Sequence, residues 1–434
     1  MKIITKKHIF AALALAVPLF LQASGQDVPS KVSLSLEQAQ EYALEHNNTI
    51  RNASVDVRKA QAAKWQAVAS MLPQIAASVD YSNYFGYKMD LGMMKLAMTP
   101  YASMGVTTSM SFSGASIVSL QVADISRRMA DISLMQSRQQ ISSQVRVLYF
   151  SALATEETLR LLQDNLESLR KLHSMSQKSV EVGISEQTAA DQILVQVNTM
   201  ENTISSTRRS LEMVYNSMRL LLNLPAETEI SLLDGLDDLI NLAYAESLSG
   251  EEFDIEDNYN WRLLKESTEL ARKQISLTGW SRGPTVSIYH QYSSRHNFSD
   301  EVTMNMTPPN MLGVQLRVPL FTSGLNSAAV RDARLSYEKQ LNTLEETALA
   351  LGVQHSQLVY NLRSALERYS TQHQNMEVAQ RVFDNIAEKY RHGISSSLDV
   401  TNSGTNLIAA QSAYVQALLE IINAQAALEE LMNK

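Results

Sequence analysis

Gly183-Ile184-Ser185 and Gly393-Ile394-Ser395 open the same helical pattern twice, 210 residues apart. Downstream of the first, Val197, Met200, Ile204, Thr207, Leu211, Val214, Met218 and Leu221 recur every three or four positions. Downstream of the second, Leu407, Ala410, Tyr414, Ala417, Ile421, Ala424, Leu428 and Leu431 keep the same step. This spacing is a heptad seam, so both segments are helices that pack along their length. Its return at a fixed offset makes the chain a tandem duplication, and any fold has to accommodate one unit twice.

The first unit is assigned to 26–224. Ser35 and Gln38 give it a capping-box start, and a helix is expected through Asn47–Met71, up to Pro73. The period then changes to two. Ile75, Ala77, Val79 and Tyr81 mark a strand over about 74–84, and Val106, Thr108, Met110 and Phe112 a second over about 104–113. Helical spacing returns after Gly114 and holds to Val182. The second unit, 258–434, repeats the order. A helix over Trp261–Gly279 stops at Pro284, strands follow over about 285–294 and 312–321, and a helix runs from the Phe321-Thr322-Ser323-Gly324 segment to about His392, with a seam from Leu344 to Tyr369. The predicted fold class is mostly α with a small β part, a duplicated helix-strand-strand-helix unit.

Lengths sharpen this. A helix of about 65 residues extends roughly 100 Å and has to lie against other rods. Each strand has about nine to ten residues, enough for a tilted crossing of a bilayer. Four amphipathic strands do not close a barrel, because the smallest bacterial barrels use eight, and open edges are not tolerated in lipid. Assembly with further copies is therefore required.

Composition removes several alternatives. The formal charge is −8, with no basic stripe, so nucleic acid is not an expected partner. Lys2, Lys6 and Lys7 precede an apolar run from Ile9 to Leu21 and the small residues Ala23, Ser24 and Gly25, which reads as a secretory signal over 1–25. There is no Cys, so neither disulfides nor a lipidated N-terminal cysteine is expected. No transmembrane helix is expected after the signal. The uncharged stretch of helical period, Val400–Leu419, is rich in Thr, Asn, Ser and Gln and carries the seam. Between the units, 225–257 is an acidic connector: Glu227–Asp257 has eleven Asp or Glu and no Lys or Arg. It reads as a solvated link or as a belt that recruits a partner.

No phosphate loop, dinucleotide fingerprint, zincin helix or nucleophile elbow occurs, and the chain is not expected to be an enzyme or to hold a cofactor. His355 lies on a seam, where a hydrogen-bonded core histidine is expected. Met89, Met93, Met94, Met98 and Met104, with Met304, Met306 and Met311, crowd the interstrand loops. They read as barrel-mouth packing, with soft Cu(I) ligation as the alternative. Tyr81, Tyr84, Phe85, Tyr87, Tyr101, Phe112, Tyr289, Tyr292, Phe298 and Phe321 suit a membrane-interface belt or the core of a soluble sheet.

An exported, cysteine-free chain of duplicated helix-strand-strand-helix units resembles the TolC family of outer-membrane efflux proteins. The segments Glu181-Val182-Gly183-Ile184-Ser185 and Tyr390-Arg391-His392-Gly393-Ile394-Ser395 resemble its periplasmic helix tips. The resemblance implies a homotrimer whose twelve strands form one outer-membrane β-barrel, continued by a periplasmic α-helical barrel. It implies contact with outer-membrane lipid, a periplasmic adaptor protein and an inner-membrane transporter, and passive export as the function. It places adaptor docking at Gly183, Ile184, Ser185, Gly393, Ile394 and Ser395, and a periplasmic constriction at Asp399, Asn402 and Tyr390. Asn402 falls where the family often carries a second carboxylate. The acidic partner of the closed-state latch aligns with Ala189, near Asp191, and a latch Arg aligns with Ser395. From the residues alone, Asp399 is equally a helix cap in Ser-Ser-Leu-Asp, and the tips are equally plain helix-helix turns. The rival reading is a periplasmic coiled-coil scaffold without a pore.

Overall fold

The computed structural model describes residues 31–90, 92, 95–239, 241–298 and 308–434. The signal-like segment and Met93, Met94, Met304 and Met306 lie outside the described residues. The chain begins with β1 (Lys31–Leu34), α1 (Leu36–His46) and α2 (Asn48–Ala69). The strands β2 (Gln74–Ser82), β3 (Lys88–Asp90), β4 (Lys95–Ala97) and β5 (Tyr101–Ser113) follow, then the long α3 (Gly114–Glu181) and α4 (Gln187–Leu222). A middle layer holds β6 (Glu229–Leu232), α5 (Leu236–Leu239) and α6 (Leu242–Leu248). The second unit is α7 (Tyr259–Gly279), β7 (Thr285–Asn297), β8 (Asn310–Arg317), α8 (Leu325–Arg391) and α9 (Ser397–Met432).

The capping box at Ser35 and Gln38 is present: the Gln38 N–H donates to Ser35 Oγ and the Ser35 N–H to Gln38 Oε1. The continuous helix expected beyond it is instead broken at Asn47, whose backbone is extended (φ −65°, ψ 129°). The reason is a splice. Asn47 accepts the Thr49 N–H at 2.8 Å, capping α2, and donates from Nδ2 to the Leu221 carbonyl at 2.7 Å, satisfying the end of α4. The second unit repeats this. Asn258 accepts the Trp261 N–H at 3.1 Å and donates to the Leu431 carbonyl at 2.8 Å. The residues that end α4 and α9, Asn223 and Asn433, both take the left-handed conformation, at φ 56° and 57°. Each short helix thus sits on the end of another and completes a rod comparable with α3 or α8, which have 68 and 67 residues and span roughly 100 Å.

The seams are buried where the heptads place them. Val197, Met200 and Ile204 pack on Leu162, Leu166 and Leu169. Val400 and Leu407 pack on Phe383 and Ala387 of α8 and on Leu172 and Ile193. Among the described residues, α9 is the one helix whose length and composition would allow a membrane crossing. Its packing argues otherwise: one side buries Val400, Leu407, Leu418 and Leu428, while Asn402, Asn406, Gln416 and Asn423 are exposed on the other.

The acidic stretch is more than a solvated link. β6 pairs in parallel with β1, and Ala245 and Leu248 are buried against Leu362, Ile421 and Leu428. Asp234 accepts the Leu36 N–H at 2.7 Å and the Tyr149 hydroxyl at 2.9 Å. Burial, then the hydrogen bond to Asp234, pushes the Tyr149 phenol up to about 12.

His355 is half-buried at the edge of its seam, not enclosed in the core, and lacks the expected partner. Its ring stacks on Phe253 at 5.1 Å and its buried Nε2 has no hydrogen bond.

Two outcomes follow. Asn47→Ala and Asn258→Ala each remove a cap and leave a carbonyl unsatisfied, so each is expected to cost about 1–2 kcal/mol in denaturant unfolding. Asn47→Asp keeps the acceptor for Thr49 and loses the donor to Leu221, and falls in between. For His355, burial lowers the folded-state pKa below the ordinary value. The unfolded chain therefore takes up the proton first, and stability falls as pH drops below about 6.5. His355→Leu is expected to flatten that slope in urea midpoints measured between pH 5 and 7.5.

Candidate functional site

The four long strands form one antiparallel sheet in the order β2-β5-β7-β8. Its register assembles two unlike faces. On one face, Ile75 pairs with Thr108, Ala77 with Val106 and Val79 with Met104. The same face continues through Phe112 with Val286, Met110 with Ile288 and Val106 with Tyr292, and on to Leu316, Val314 and Leu312 of β8. Apart from Thr108, His290, Ser294, His296 and Asn310 it is apolar, and it is exposed, with Ile75, Val79, Leu312 and Val314 each at least 70 % accessible. A face of this kind is stable only against lipid or another apolar surface. The other face carries Ser78, Ser103, Thr107, Ser109, Ser111, Ser287, Gln291, Ser293, Arg295, Gln315 and Arg317. On β7 its residues are consistently more covered than those of the apolar face, as on the concave side of a curved sheet.

The sequence pattern located both faces but not all the aromatics. Tyr81, Phe112 and Tyr292 lie on the apolar face; Tyr101 and Tyr289 lie on the polar one. Tyr289 lies over Gly313, where a Cβ would come within 2.4 Å of its ring. The Arg295 guanidinium stands 3.5 Å from the centroid of Tyr101. Met104 stands on the apolar face and Met311 on the polar face, so these two methionines do not converge. The last strand, expected over about 312–321, runs Asn310–Arg317; Pro319, which has no N–H to donate, lies beyond its end.

At the far end of the helices the two tips are near-copies. Gly183 and Gly393 have φ of 74° and 72°. The Gly183 N–H donates to the Val180 carbonyl and the Ile184 N–H to that of Ser179; Gly393 and Ile394 do the same to Tyr390 and Lys389. This left-handed closure leaves Ile184 82 % and Ile394 75 % exposed. Two isoleucines at the extremity of long rods are apolar contacts with no cover in a single chain.

Asp399 and Asn402 are exposed one turn apart on α9. Asp399 is not itself the cap. Ser396 is, and Asp399 supplies the third-position carboxylate of a capping box. It accepts the Ser396 hydroxyl at 2.7 Å, the Ser396 N–H at 3.0 Å and the Ser395 hydroxyl at 3.0 Å. Those bonds, in that order, hold its carboxyl below the ordinary aspartate range. Tyr390 packs at the edge of the cluster of Phe383, Ala387, Val400 and Leu407. Of the first-unit latch positions, Ala189 is half-buried, and Asp191 accepts from Gln187 at 2.8 Å within its own helix.

Besides the Arg146–Glu429 ion pair, three neutral bonds between side chains join α9 to α3 and α4, and they were not legible as a motif. Ser397 Oγ donates to Gln192 Oε1 at 2.9 Å, Gln196 Nε2 to Thr405 Oγ1 at 3.4 Å, and Asn165 Nδ2 to Gln411 Oε1 at 2.7 Å. These are neutral side chains scattered through three helices. Only the burial of Asn165, Gln196 and Gln411 beside the seams distinguishes them.

Comparison with known proteins agrees with this geometry. The family described as outer membrane efflux protein matches residues 40–224 and 265–434. The outer membrane protein TolC of Vibrio cholerae is 20 % identical over 442 residues, covering 95 % of this chain and 96 % of its own length. The alkaline protease secretion protein AprF of Pseudomonas aeruginosa is 20 % identical over 287 residues, 65 % of this chain and 60 % of AprF. Among solved structures, CusC superposes with a TM-score of 0.74 at 17 % identity over 98 % of both chains. The outer membrane protein VceC of Vibrio cholerae gives 0.74 at 16 % identity, over 92 % of this chain and 95 % of its own.

Proposed function

The chain belongs to the outer membrane efflux protein family, and from that premise we propose that three copies form the exit duct of a tripartite export system. The duct stands in the outer membrane and reaches into the periplasm, where it meets an adaptor and an inner-membrane transporter. One observation carries the reading. The sheet is apolar on one face, polar on the other, and has free edges at β2 and β8. Lipid satisfies the apolar face, and pairing β8 of one copy with β2 of the next satisfies the edges, giving twelve strands around a polar lumen. The conduit is passive. Energy comes from the transporter, and no catalytic residue is assigned.

Ile184 and Ile394, held out by the glycine turns with Ser185 and Ser395, are the adaptor contact. Asp399 and Asn402 form the narrowest level of the lumen. Three copies of Asp399 repel one another and attract cations, and neutral Asn402 weakens both effects relative to a doubly acidic ring. Tyr390 supports this level from behind through the apolar cluster. The neutral bonds of Gln192, Gln196 and Asn165 to α9 are the latch that holds the tunnel narrow.

Detergent extraction of isolated outer membranes followed by planar-bilayer recording tests the duct. Release with the periplasm and no unitary current would instead favour a scaffold. In the same recordings, Asp399→Ala is expected to weaken block by divalent cations applied from the helical end about tenfold; unchanged block would remove Asp399 from the constriction. Gln192→Ala combined with Gln196→Ala is expected to raise conductance several-fold, and unchanged conductance would refute the latch.

A further inference from the structure

The ends of the strands nearest the helices carry an unbalanced charge. Residues 65–79, 104–123, 275–294 and 308–330 include every strand end that joins a helix, with the adjoining helical turns. They contain Arg282 and Arg317 and no Asp, Glu or Lys. The side of the sheet on which Arg317 stands is fixed by register. Leu316 pairs with Val286, which pairs with Phe112, all on the apolar face; Arg317 pairs with Thr285, which pairs with Ser113, on the polar one. Arg317 is exposed, and among the described residues no carboxylate lies within ion-pair distance of it. The other charges on the polar face, Asp80 and Arg295, stand further up the sheet in a single row, both paired to Ser103. They balance one another, and Arg317 is left as the net charge.

We propose that Arg317 from three copies forms a cationic collar where the helical tunnel opens into the barrel, and that this collar binds polyvalent anionic groups such as the phosphates, sulfates or clustered carboxylates of a passing solute. The collar exists only in a closed trimer, so it rests on the duct reading above. A guanidinium offers forked N–H donors to such oxyanions and stays charged at every physiological pH. The wall next to it consists of Ser111, Ser113, Thr285, Ser287 and Gln315, which donate and accept hydrogen bonds without adding countercharge. The Ser111 and Ser287 hydroxyls are already within 2.8 Å of each other across the strands. The lumen would then change sign along its length, acidic at Asp399 and basic at Arg317. Solutes bearing several negative charges would be concentrated at the barrel end, most strongly at low salt, because the Debye length is about 10 Å at 0.1 M.

Single-channel recording with inorganic tripolyphosphate added to one compartment decides the matter. With wild type, tripolyphosphate on the barrel side is expected to block the current at lower concentration than on the helical side, and block should strengthen as salt is lowered. Arg317→Gln should raise the blocking concentration about tenfold, and Arg317→Lys should restore most of the block. Unitary currents with no sided block, or the same block in Arg317→Gln, would overturn the collar while leaving the duct intact. Absence of unitary currents from wild type would overturn the duct and the collar with it.

Discussion

The free backbone at the two edges of the sheet is the constraint on which the rest of the molecule depends. A single chain places the outer edges of β2 and β8 beside a face made of Ile75, Val79, Leu312 and Val314. In hydrocarbon each unmet N–H or C=O costs several kcal/mol, so such a sheet survives there only as part of a closed ring. Closure dictates what lies below. β2 follows α2, β5 leads into α3, β7 follows α7 and β8 leads to α8, one helix for each strand. A ring of strands thus imposes a ring of helices of equal number. The junction leaves little space: a Cβ on Gly114, the first residue of α3, would come within 2.1 Å of the Trp280 indole at the end of α7. Glycine there lets the barrel and the tunnel share one wall.

Keeping four helix positions per chain along the whole tunnel creates a second problem, because α2 and α7 are short. Running them on into α4 and α9 as spliced rods solves it, and the splice is chemical rather than covalent. One asparagine side chain serves as N-cap to one helix and as donor to the last turn of another, at Asn47 and again at Asn258. The same amide thus meets one N–H of the incoming helix and one C=O of the outgoing one. The middle layer of β1, β6, α1, α5 and α6 lies over one side of this zone. That side buries Phe150, Leu418 and Ile422, and the opposite side is left for the lumen.

Much of this could be read in the chain before the fold was known. The duplication, the heptad seams, the period-two strands and the turn glycines are local signals, and each follows from one kind of packing repeated many times. What stayed hidden was set by partners far away in sequence. Nothing near Asn47 announces a helix break, because the group that fixes it, the Leu221 carbonyl, is 174 residues away. The acidic stretch reads from its charge as a solvated link or a recruiting belt, and its apolar residues dock because Leu362 and Leu428 present a prepared surface. Tyr101 and Tyr289 were grouped with the other aromatics by composition, whereas strand parity turns them to the polar face. At the proposed constriction the sequence offered Asp399 as either a cap residue or a ring member. The carboxylate in fact belongs to the capping box, with Ser396 as the cap.

That last point bears on how a closed end of this kind is held. Ion pairs at a water-filled mouth are screened by salt and contribute little. The ion pairs of α9, Glu420 with Arg368 and Glu429 with Arg146, lie near the end of the helix away from the tip. Toward the tip, the side-chain bonds that tie α9 to α3 and α4 are neutral and partly buried, at Gln192, Gln196 and Asn165. Each such bond contributes about 0.5–1.5 kcal/mol net. A handful per protomer holds the helices together yet stays within reach of the binding free energy of a docked adaptor. Being uncharged, these bonds do not change with ionic strength or with pH between 4 and 9. Asp399 is bound to Ser395 and Ser396 of its own tip, so in the proposed constriction it would act on solute charge without also having to hold the tunnel shut. On that proposal, separating the group that sets the potential from the groups that set the width would let the two properties vary independently, with Asn402, a neutral residue beside a charged one, on the side that tunes potential.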